Sequence, residues 1–503
     1  MSLAKIYTCA LSGITTHSVT VEVHLSNGLP SLSIVGLPEA AVRESKDRVR
    51  AAIINSNFEF PQRRITINLA PADLPKEGGR YDLPIALGIL AASSQIPEQH
   101  LHQFEFHAEL ALSGELRPVK GILPAALHTQ ASNRGLIIAN QNISEALLVD
   151  NIQTLGAANL LQVCQFLNDQ GELNSDSPEP QTAPPISETR LDMSDIKGQQ
   201  RAKRALEVAA AGQHNLLMIG PPGTGKTMLA SRIIGILPPM SQQQAIETAA
   251  IYSISDQAEY RHQWRVRPFR SPHHTASGVA LVGGGSNPKP GEISLAHHGI
   301  LFLDELTEFD RKVLDVLREP LETGRITISR AARQADFPAL FQLIAAMNPC
   351  PQGYNCDGKE LCQCTPEQQR KYRSKISAPL LDRIDIQIEV PQVPRDILSQ
   401  QHHAESSADI KQRVLQAYHR QINRSGKVNA ELSNAELEKN CHLNSAEQLL
   451  MDQAMERLKL SARAYHRILK LSRTIADLDN SNDINSSHLS EAISYRSLDR
   501  LQH

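Results

Sequence analysis

The sequence predicts an α/β protein: a nucleotide-binding core on a parallel sheet, with an α+β segment before it and a helical segment after it. Three observations carry that prediction. Residues 220–227 read Gly-Pro-Pro-Gly-Thr-Gly-Lys-Thr, a full match to G-x-x-x-x-G-K-[ST]. The apolar run Leu216-Leu217-Met218-Ile219 leads in as a buried strand and Met228-Leu229-Ala230 leads out as a helix start, so the glycines fall in the turn between them. A second apolar run, Gly299-Ile300-Leu301-Phe302-Leu303, ends in Asp304-Glu305 about eighty residues later, the separation of two parallel strands joined by crossovers and an insertion.

Each residue of the loop has a chemical task. Gly220, Pro221, Pro222, Gly223, Thr224 and Gly225 make the cradle. Gly223 and Gly225 let the backbone wrap a polyphosphate, so that amide N–H groups and the helix N-terminus point at it. Lys226 reaches the β/γ oxygens and Thr227 ligates Mg²⁺. The expected ligand is ATP or GTP. Asp304 suits the Mg²⁺ shell, and Glu305 suits polarising the attacking water. Standing alone, that run would read as a core strand followed by a solvated acidic pair; its place after the phosphate loop favours the catalytic reading.

Composition sets the outer bounds. A chain of 503 residues has room for about three domains. Its net charge of -3 excludes a polycation, so contact with nucleic acid has to come from a local stripe. No run of eighteen apolar residues occurs, and Met1-Ser2-Leu3-Ala4-Lys5 opens no secretory pattern, so a cytoplasmic protein with no membrane association is expected. Four of the seven cysteines crowd into residues 350–364, which suits reduced thiols or a metal better than a secreted disulfide framework.

The domain plan follows from the same patterns. Residues 1–167 mix alternating strands (Val19 to Val23, Ile65 to Leu69, Leu136 to Ile138) with helical stretches such as Glu39 to Asn55, and read as an α+β domain. Residues 168–188 carry four prolines and few large apolar side chains, and read as a flexible linker. Residues 189–393 are the α/β core, with strands expected at 215–219, 299–303, 341–346 and 384–390. Residues 394–503 are helical throughout, with apolar spacing in Ala446 to Leu458 and Ala464 to Ile475, as a lid would be.

With both nucleotide motifs placed, Arg267-Pro268-Phe269-Arg270-Ser271-Pro272-His273-His274-Thr275, Gly283-Gly284-Gly285 and Pro290-Gly291-Glu292-Ile293-Ser294-Leu295-Ala296-His297 become recognisable. The chain resembles the magnesium-chelatase-like AAA+ ATPases, and within them the YifB/ComM group of competence-associated DNA branch-migration helicases. The resemblance covers nearly the whole chain, from Asp195-Ile196-Lys197-Gly198-Gln199 through the lid. It implies ATP and Mg²⁺ as cofactors, a homo-hexameric ring, single-stranded and branched DNA as partners, and a recombinase as a further partner. An AAA+ motor for metal insertion or protein remodelling is the alternative.

Further roles come from the resemblance by position. Asn348, after Leu343-Ile344-Ala345-Ala346-Met347, corresponds to sensor 1, which holds the attacking water. Arg383, in Leu380-Leu381-Asp382-Arg383-Ile384-Asp385, corresponds to the arginine finger offered to a neighbouring subunit. A guanidinium suits that role because it stays charged and bridges two phosphate oxygens. Arg463, in Leu460-Ser461-Ala462-Arg463, corresponds to sensor 2. Without the resemblance these would read as surface arginines and a capping asparagine.

Two basic insertions are the candidate DNA contacts. Between Glu259 and Glu292 stand Arg261, Arg265, Arg267, Arg270 and Lys289 with no acidic residue, and Gly283 to Gly285 suit a loop at a pore. Gly324 to Arg333 read as a hairpin with Arg330 and Arg333 near its tip. Some of these arginines are expected in internal salt bridges; Lys289, Arg330 and Arg333 are the expected phosphate contacts. His273 and His274 are poor metal geometry as an adjacent pair, and a structural or pore role is expected of them. Cys350, Cys356, Cys362 and Cys364 are spaced C-x5-C-x5-C-x-C, and four thiolates in so polar a loop suit one structural Zn²⁺.

The first 167 residues resemble the Lon-protease-like domain, the second-domain fold of ribosomal protein S5. Pro75-Lys76-Glu77-Gly78-Gly79-Arg80 aligns with the segment bearing the Lon serine, and Ser113 to Leu123 with the segment bearing its lysine. Arg80 and Leu123 occupy those two positions, so a serine–lysine dyad is missing and no proteolysis is expected. Arg43, Lys46, Arg48 and Arg50 on one helix suit duplex contact or, equally, a solvated face paired with Glu39, Glu44 and Asp47.

Overall fold

The computed structural model describes residues 2–175, 191–255, 264–285, 288–330, 333–353, 364–394, 396, 404–458 and 460–496. They form two compact units that are not contiguous in sequence. The first takes residues up to 175 together with 245–255 and Trp264, and the second takes the rest.

The first unit is built on a seven-stranded sheet in the order Ser31–Val35, Arg64–Ala70, Thr15–Ser26, Ser2–Ser12, Phe104–His107, Gly135–Ala139, Thr154–Ala157. Ser2–Ser12 and Thr15–Ser26 form a long antiparallel hairpin, and the strands from Phe104 onward run parallel. Alternation of Val19, Val21, Val23 and Leu25 turns one face inward, the period-2 signature of a half-covered sheet. The helix Asp82–Ala92 lies against that face and is buried on every side, which is why it carries no polar stripe. The predicted basic helix is Ala40–Asn55, and Arg48 on it is committed to Asp82 through two hydrogen bonds of 2.8 and 3.1 Å.

The two segments aligned with the Lon dyad do meet. Arg80 is buried and one of its terminal nitrogens donates to the Lys120 carbonyl, while Lys76 donates to the Pro71 carbonyl and Leu123 is wholly buried. Residues 168–175, expected as the start of a linker, instead return to the sheet: Asn174 exchanges backbone hydrogen bonds with Gly156 and Leu173 enters the core. Composition missed this because one buried leucine and one backbone bridge suffice to hold a polar segment. The remaining linker positions from 176 lie outside the described residues. Ala249 and Ala250, on the helix Gln242–Ile254, pack with Ile122, Leu123, Ala126 and Trp264 in a separate apolar cluster of this unit.

The second unit centres on a five-stranded parallel sheet in the order Phe269–Arg270, Ile300–Leu303, Gln342–Met347, Leu216–Ile219, Ile386–Glu389. Each expected strand is present within two residues of its predicted ends. The strands are short, almost continuously apolar and covered on both faces, as parallel strands must be. Burying side chains such as Leu216, Met218 and Ile344 contributes roughly 1.5–3 kcal/mol each before entropy is counted. The helix Gln200–Gly212 covers one face and carries the lid helix Ser407–Ser425, which is tied to it by an ion pair from Arg413 to Glu207.

Helices Asn434–Asn440, Ser445–Leu458, Ala462–Leu478 and Ser486–Ser494 complete the lid. In Ala462–Leu478 the buried Ala464, Ile468, Leu471 and Ile475 fall on one stripe, and the Ser461 side chain caps the first turn by accepting from the Ala464 N–H. No described helix is long and apolar enough to cross a membrane.

Candidate nucleotide site

The parallel register brings three chain ends to one edge of the sheet. Ile219 pairs with Met347, and Leu303 pairs with Ala345, so the phosphate loop, Asp304 and Asn348 all leave the sheet at its carboxyl edge. Open α/β sheets bind ligands at that edge. Gly223 (φ +75°) and Gly225 (φ +85°) adopt the left-handed backbone that the cradle requires. Gly220 is needed for a different reason: a Cβ there would collide with the Val390 carbonyl.

Lys226 begins the helix Lys226–Arg232 and is itself buried. Its Nζ donates to the carbonyls of Gly220 (2.7 Å) and Pro221 (2.9 Å) and to Asn348 Oδ1 (3.3 Å). Burial lowers its pKa, against the opposing field of Asp304 and Glu305. Thr227 Oγ1 donates to Asp304 Oδ2 at 2.5 Å, so the two proposed Mg²⁺ ligands are already in contact. Asp304 Oδ1 accepts the Glu305 N–H at 2.9 Å. The donor set fits the group: a hydroxyl and a carboxylate for a hard divalent cation, and an ammonium with glycine amides for phosphate.

Glu305 is exposed and held at φ +50°, which turns its carboxylate out from the strand end. His274 Nδ1 lies 3.1 Å from Glu305 Oε2, and the His273 and His274 rings lie tilted by 32° with centroids 4.2 Å apart. The sequence singled out this histidine pair but did not connect it to the acidic strand. The link is long-range and the adjacent spacing gives no sign of it.

Arg383 and Arg463 do not join this cluster. Arg383 precedes the strand Ile386–Glu389, and its carbonyl accepts from Asn215 Nδ2, the residue before the phosphate-loop strand. It therefore stands at the amino edge of the sheet, the full strand length of about 10 Å or more from Lys226. A cavity of about 480 Å³ opens there, lined by Arg383, Arg463, Arg467, Lys470 and Glu322 among others. Arg383 is paired with Glu322, and Arg463 Nη2 lies 3.8 Å from the same carboxylate. Deeper in, burial disfavours a charged Asp385, yet Arg467 and His214 hold its carboxyl well below the usual range.

Two arginines of the basic insertions are held in internal contacts. Arg267 is buried and donates to the Pro238 and His298 carbonyls, and Arg270 forks onto Glu292 at 2.6 and 2.7 Å. Lys289 is exposed on a short ribbon with Gly283–Gly284. The predicted hairpin is Arg325–Arg330 paired with Arg333–Pro338, and its register sets Arg330 opposite Arg333 at the tip. Cys350 is buried and Cys364 half-buried, while Cys356 and Cys362 lie outside the described residues. The base of that loop abuts the phosphate loop, since a Cβ on Gly353 would meet Pro222 Cγ at 2.8 Å.

Comparison with known proteins agrees with this geometry. Residues 192–398 match the model for magnesium chelatase, subunit ChlI; residues 21–142 match the model for subunit ChlI of Mg-chelatase; residues 404–496 match its C-terminal model. The chain is 54% identical to competence protein ComM of Haemophilus influenzae, over 100% of this chain and 99% of that protein. The chain belongs to the ComM/YifB group of magnesium-chelatase-like AAA+ ATPases. Protein YifB of Escherichia coli is 51% identical across 100% of this chain and 98% of its own length. Lon protease 2 of Bacillus subtilis is 27% identical over 31% of this chain, in keeping with the Lon-like element of the fold. As a member of this AAA+ family the chain uses nucleotide and Mg²⁺, and the residues at the carboxyl edge are the ones that fit them.

Proposed function

We propose that the protein is an ATP-driven ring motor that translocates on DNA and promotes branch migration of recombination intermediates. The observation carrying this reading is the division of the catalytic set. Lys226, Thr227, Asp304, Glu305 and Asn348 share one edge of the sheet, and Arg383 and Arg463 share the other. A complete hydrolytic site then needs the amino edge of a second copy, which is the logic of a ring, a hexamer in this family. Asn348 and Glu305 orient and polarise the attacking water, and Arg383 from the neighbour neutralises charge developing on the transferred phosphoryl group.

DNA as the track is supported by the Arg330/Arg333 hairpin tip and exposed Lys289, which suit backbone phosphates without reading bases. The competence role named for the Haemophilus relative extends this to natural transformation in the cytoplasm, with a recombinase as partner. Cys350, Cys356, Cys362 and Cys364 would hold a structural Zn²⁺ at the loop that abuts Pro222. The Lon-like unit, with buried Arg80 in place of a nucleophile, serves assembly or DNA contact and not proteolysis.

The test is ATP hydrolysis with and without single-stranded, duplex and four-way-junction DNA, with Glu305→Gln as the inactive control. Stimulation coupled to junction unwinding supports the motor. Unchanged turnover with all three DNAs overturns it and favours a metal-insertion or protein-remodelling partner.

A further inference from the structure

The first unit contains a buried cluster that the nucleotide chemistry does not use. Cys9 Sγ, Glu105 Oε2 and His128 Nδ1 all lie within 4.8 Å of one another. His128 Nδ1 is 3.2 Å from Glu105 Oε2. A fourth ligand atom faces the same space: His107 Nε2 is 3.9 Å from Cys9 Sγ and 3.8 Å from Glu105 Oε2. In a tetrahedral zinc site with the usual Zn–S, Zn–N and Zn–O bond lengths, ligand atoms are separated by roughly 3.3–3.6 Å. The separations of 3.2, 3.8 and 3.9 Å lie within a few tenths of an ångström of that spacing, and the other pairs among Cys9, Glu105 and His128 lie within 4.8 Å.

From this juxtaposition we infer that Cys9, Glu105 and His128, with His107 in the fourth position, form a divalent transition-metal site, with Zn²⁺ the ion the mixed S/N/O donors favour. The surroundings are those of a metal centre. His107 Nδ1 is engaged by Thr8 Oγ1 at 3.1 Å, which leaves Nε2 to carry the lone pair when Nδ1 donates. Glu105 is oriented by Arg134 at 3.0 Å on one oxygen and by Thr129 at 3.0 Å on the other. Burial pushes the Cys9 thiol pKa up to about 12, a shift that the Arg80 charge beside it offsets only in part. A thiolate and a carboxylate together neutralise one divalent ion, so the filled site is itself neutral.

The site would add a metal link between the paired strands Ser2–Ser12 and Phe104–His107 and the helix Ile122–Ala131, which the Glu105 carboxylate already joins by hydrogen bonds to His128 and Thr129. It is distinct from the cysteine-rich loop of the second unit, and the test has to keep the two apart. The full chain carrying Cys350→Ser and Cys364→Ser is loaded with Zn²⁺, dialysed, and its metal content measured. One equivalent should remain, and it should be lost with His128→Ala or Cys9→Ser added. In the same background Co²⁺ should give a thiolate-to-metal absorption band that Cys9→Ser removes. Absence of metal in that background, or metal content indifferent to both added substitutions, overturns the inference in favour of a hydrogen-bonded core cluster. His128 lies at the edge of the cluster, so His128→Ala keeps the test decisive if Cys9→Ser does not fold; circular dichroism checks the fold.

Discussion

Arg383 and Glu322 form an ion pair at the amino edge of the ATPase sheet, and Arg463 leans on the same carboxylate from the lid. Arg383 draws Glu322 below its usual pKa through that hydrogen bond, while one guanidinium nitrogen, Nε, has no hydrogen-bond partner among the described residues. A carboxylate thus occupies two arginines that suit phosphate oxygens. Arg383→Ala should lower ATP turnover by about 10³-fold, the scale of an arginine finger, and leave nucleotide affinity nearly unchanged. Mixing it with Lys226→Ala protein should restore part of the turnover; no recovery at any mixing ratio counts against action between subunits.

Glu305→Gln should reduce turnover about 100-fold or more while nucleotide stays bound, because the amide cannot polarise water. Full turnover in this variant would falsify the assignment of the water-polarising group. Equilibrium binding of a fluorescent ATP analogue separates the two effects.

Lys226→Ala should reduce both affinity and turnover, since the ammonium is the one buried cation in the cradle among the described residues. The cost in turnover is expected at about 100-fold or greater. A variant that binds ATP as the parent does would place the phosphates elsewhere.

His274→Ala tests the contact that the sequence did not reveal. Loss of the partner 3.1 Å from Glu305 should lower kcat several-fold with little change in KM. An unchanged kcat would leave His274 as a packing residue beside the site.

Arg467→Ala should destabilise the second unit by about 3 kcal/mol, because it strips the buried Asp385 of its main cation. The sign with pH follows from the depressed carboxyl. Stability from Asp385 is fully present above its unfolded value near 4 and is lost as pH falls through its lower folded value. Thermal melts should show the parent losing more stability than the variant on acidification below about pH 4.

Much of the nucleotide site was legible because its residues are local. Gly220 to Thr227 span one turn, and Asp304 and Glu305 follow an apolar run at the spacing of a second core strand, whereas Asn348, also after an apolar run, was assigned through family resemblance. Arg383 and Arg463 were found through family resemblance; no periodicity separates them from Arg413 or Arg467, which serve ion pairs within the unit. The partners of both arginines, the His274–Glu305 contact and the Cys9–Glu105–His128 cluster depend on residues 23 to 141 positions apart, separations at which pattern carries no pairing information. The return of Asn174 to Gly156 was hidden for the opposite reason: a single bridge leaves no composition to read.

The helix Gln242–Ile254 has a consequence for how this molecule changes over generations. Its Ala249 and Ala250 are packed with Ile122 and Leu123, although the chain before and after it belongs to the ATPase unit. Removing the first 175 residues would strip those alanines of their partners in the middle of the motor's own gene segment. The Lon-like unit therefore cannot be shed or exchanged as a cassette, and the two units are bound to evolve as one inheritance.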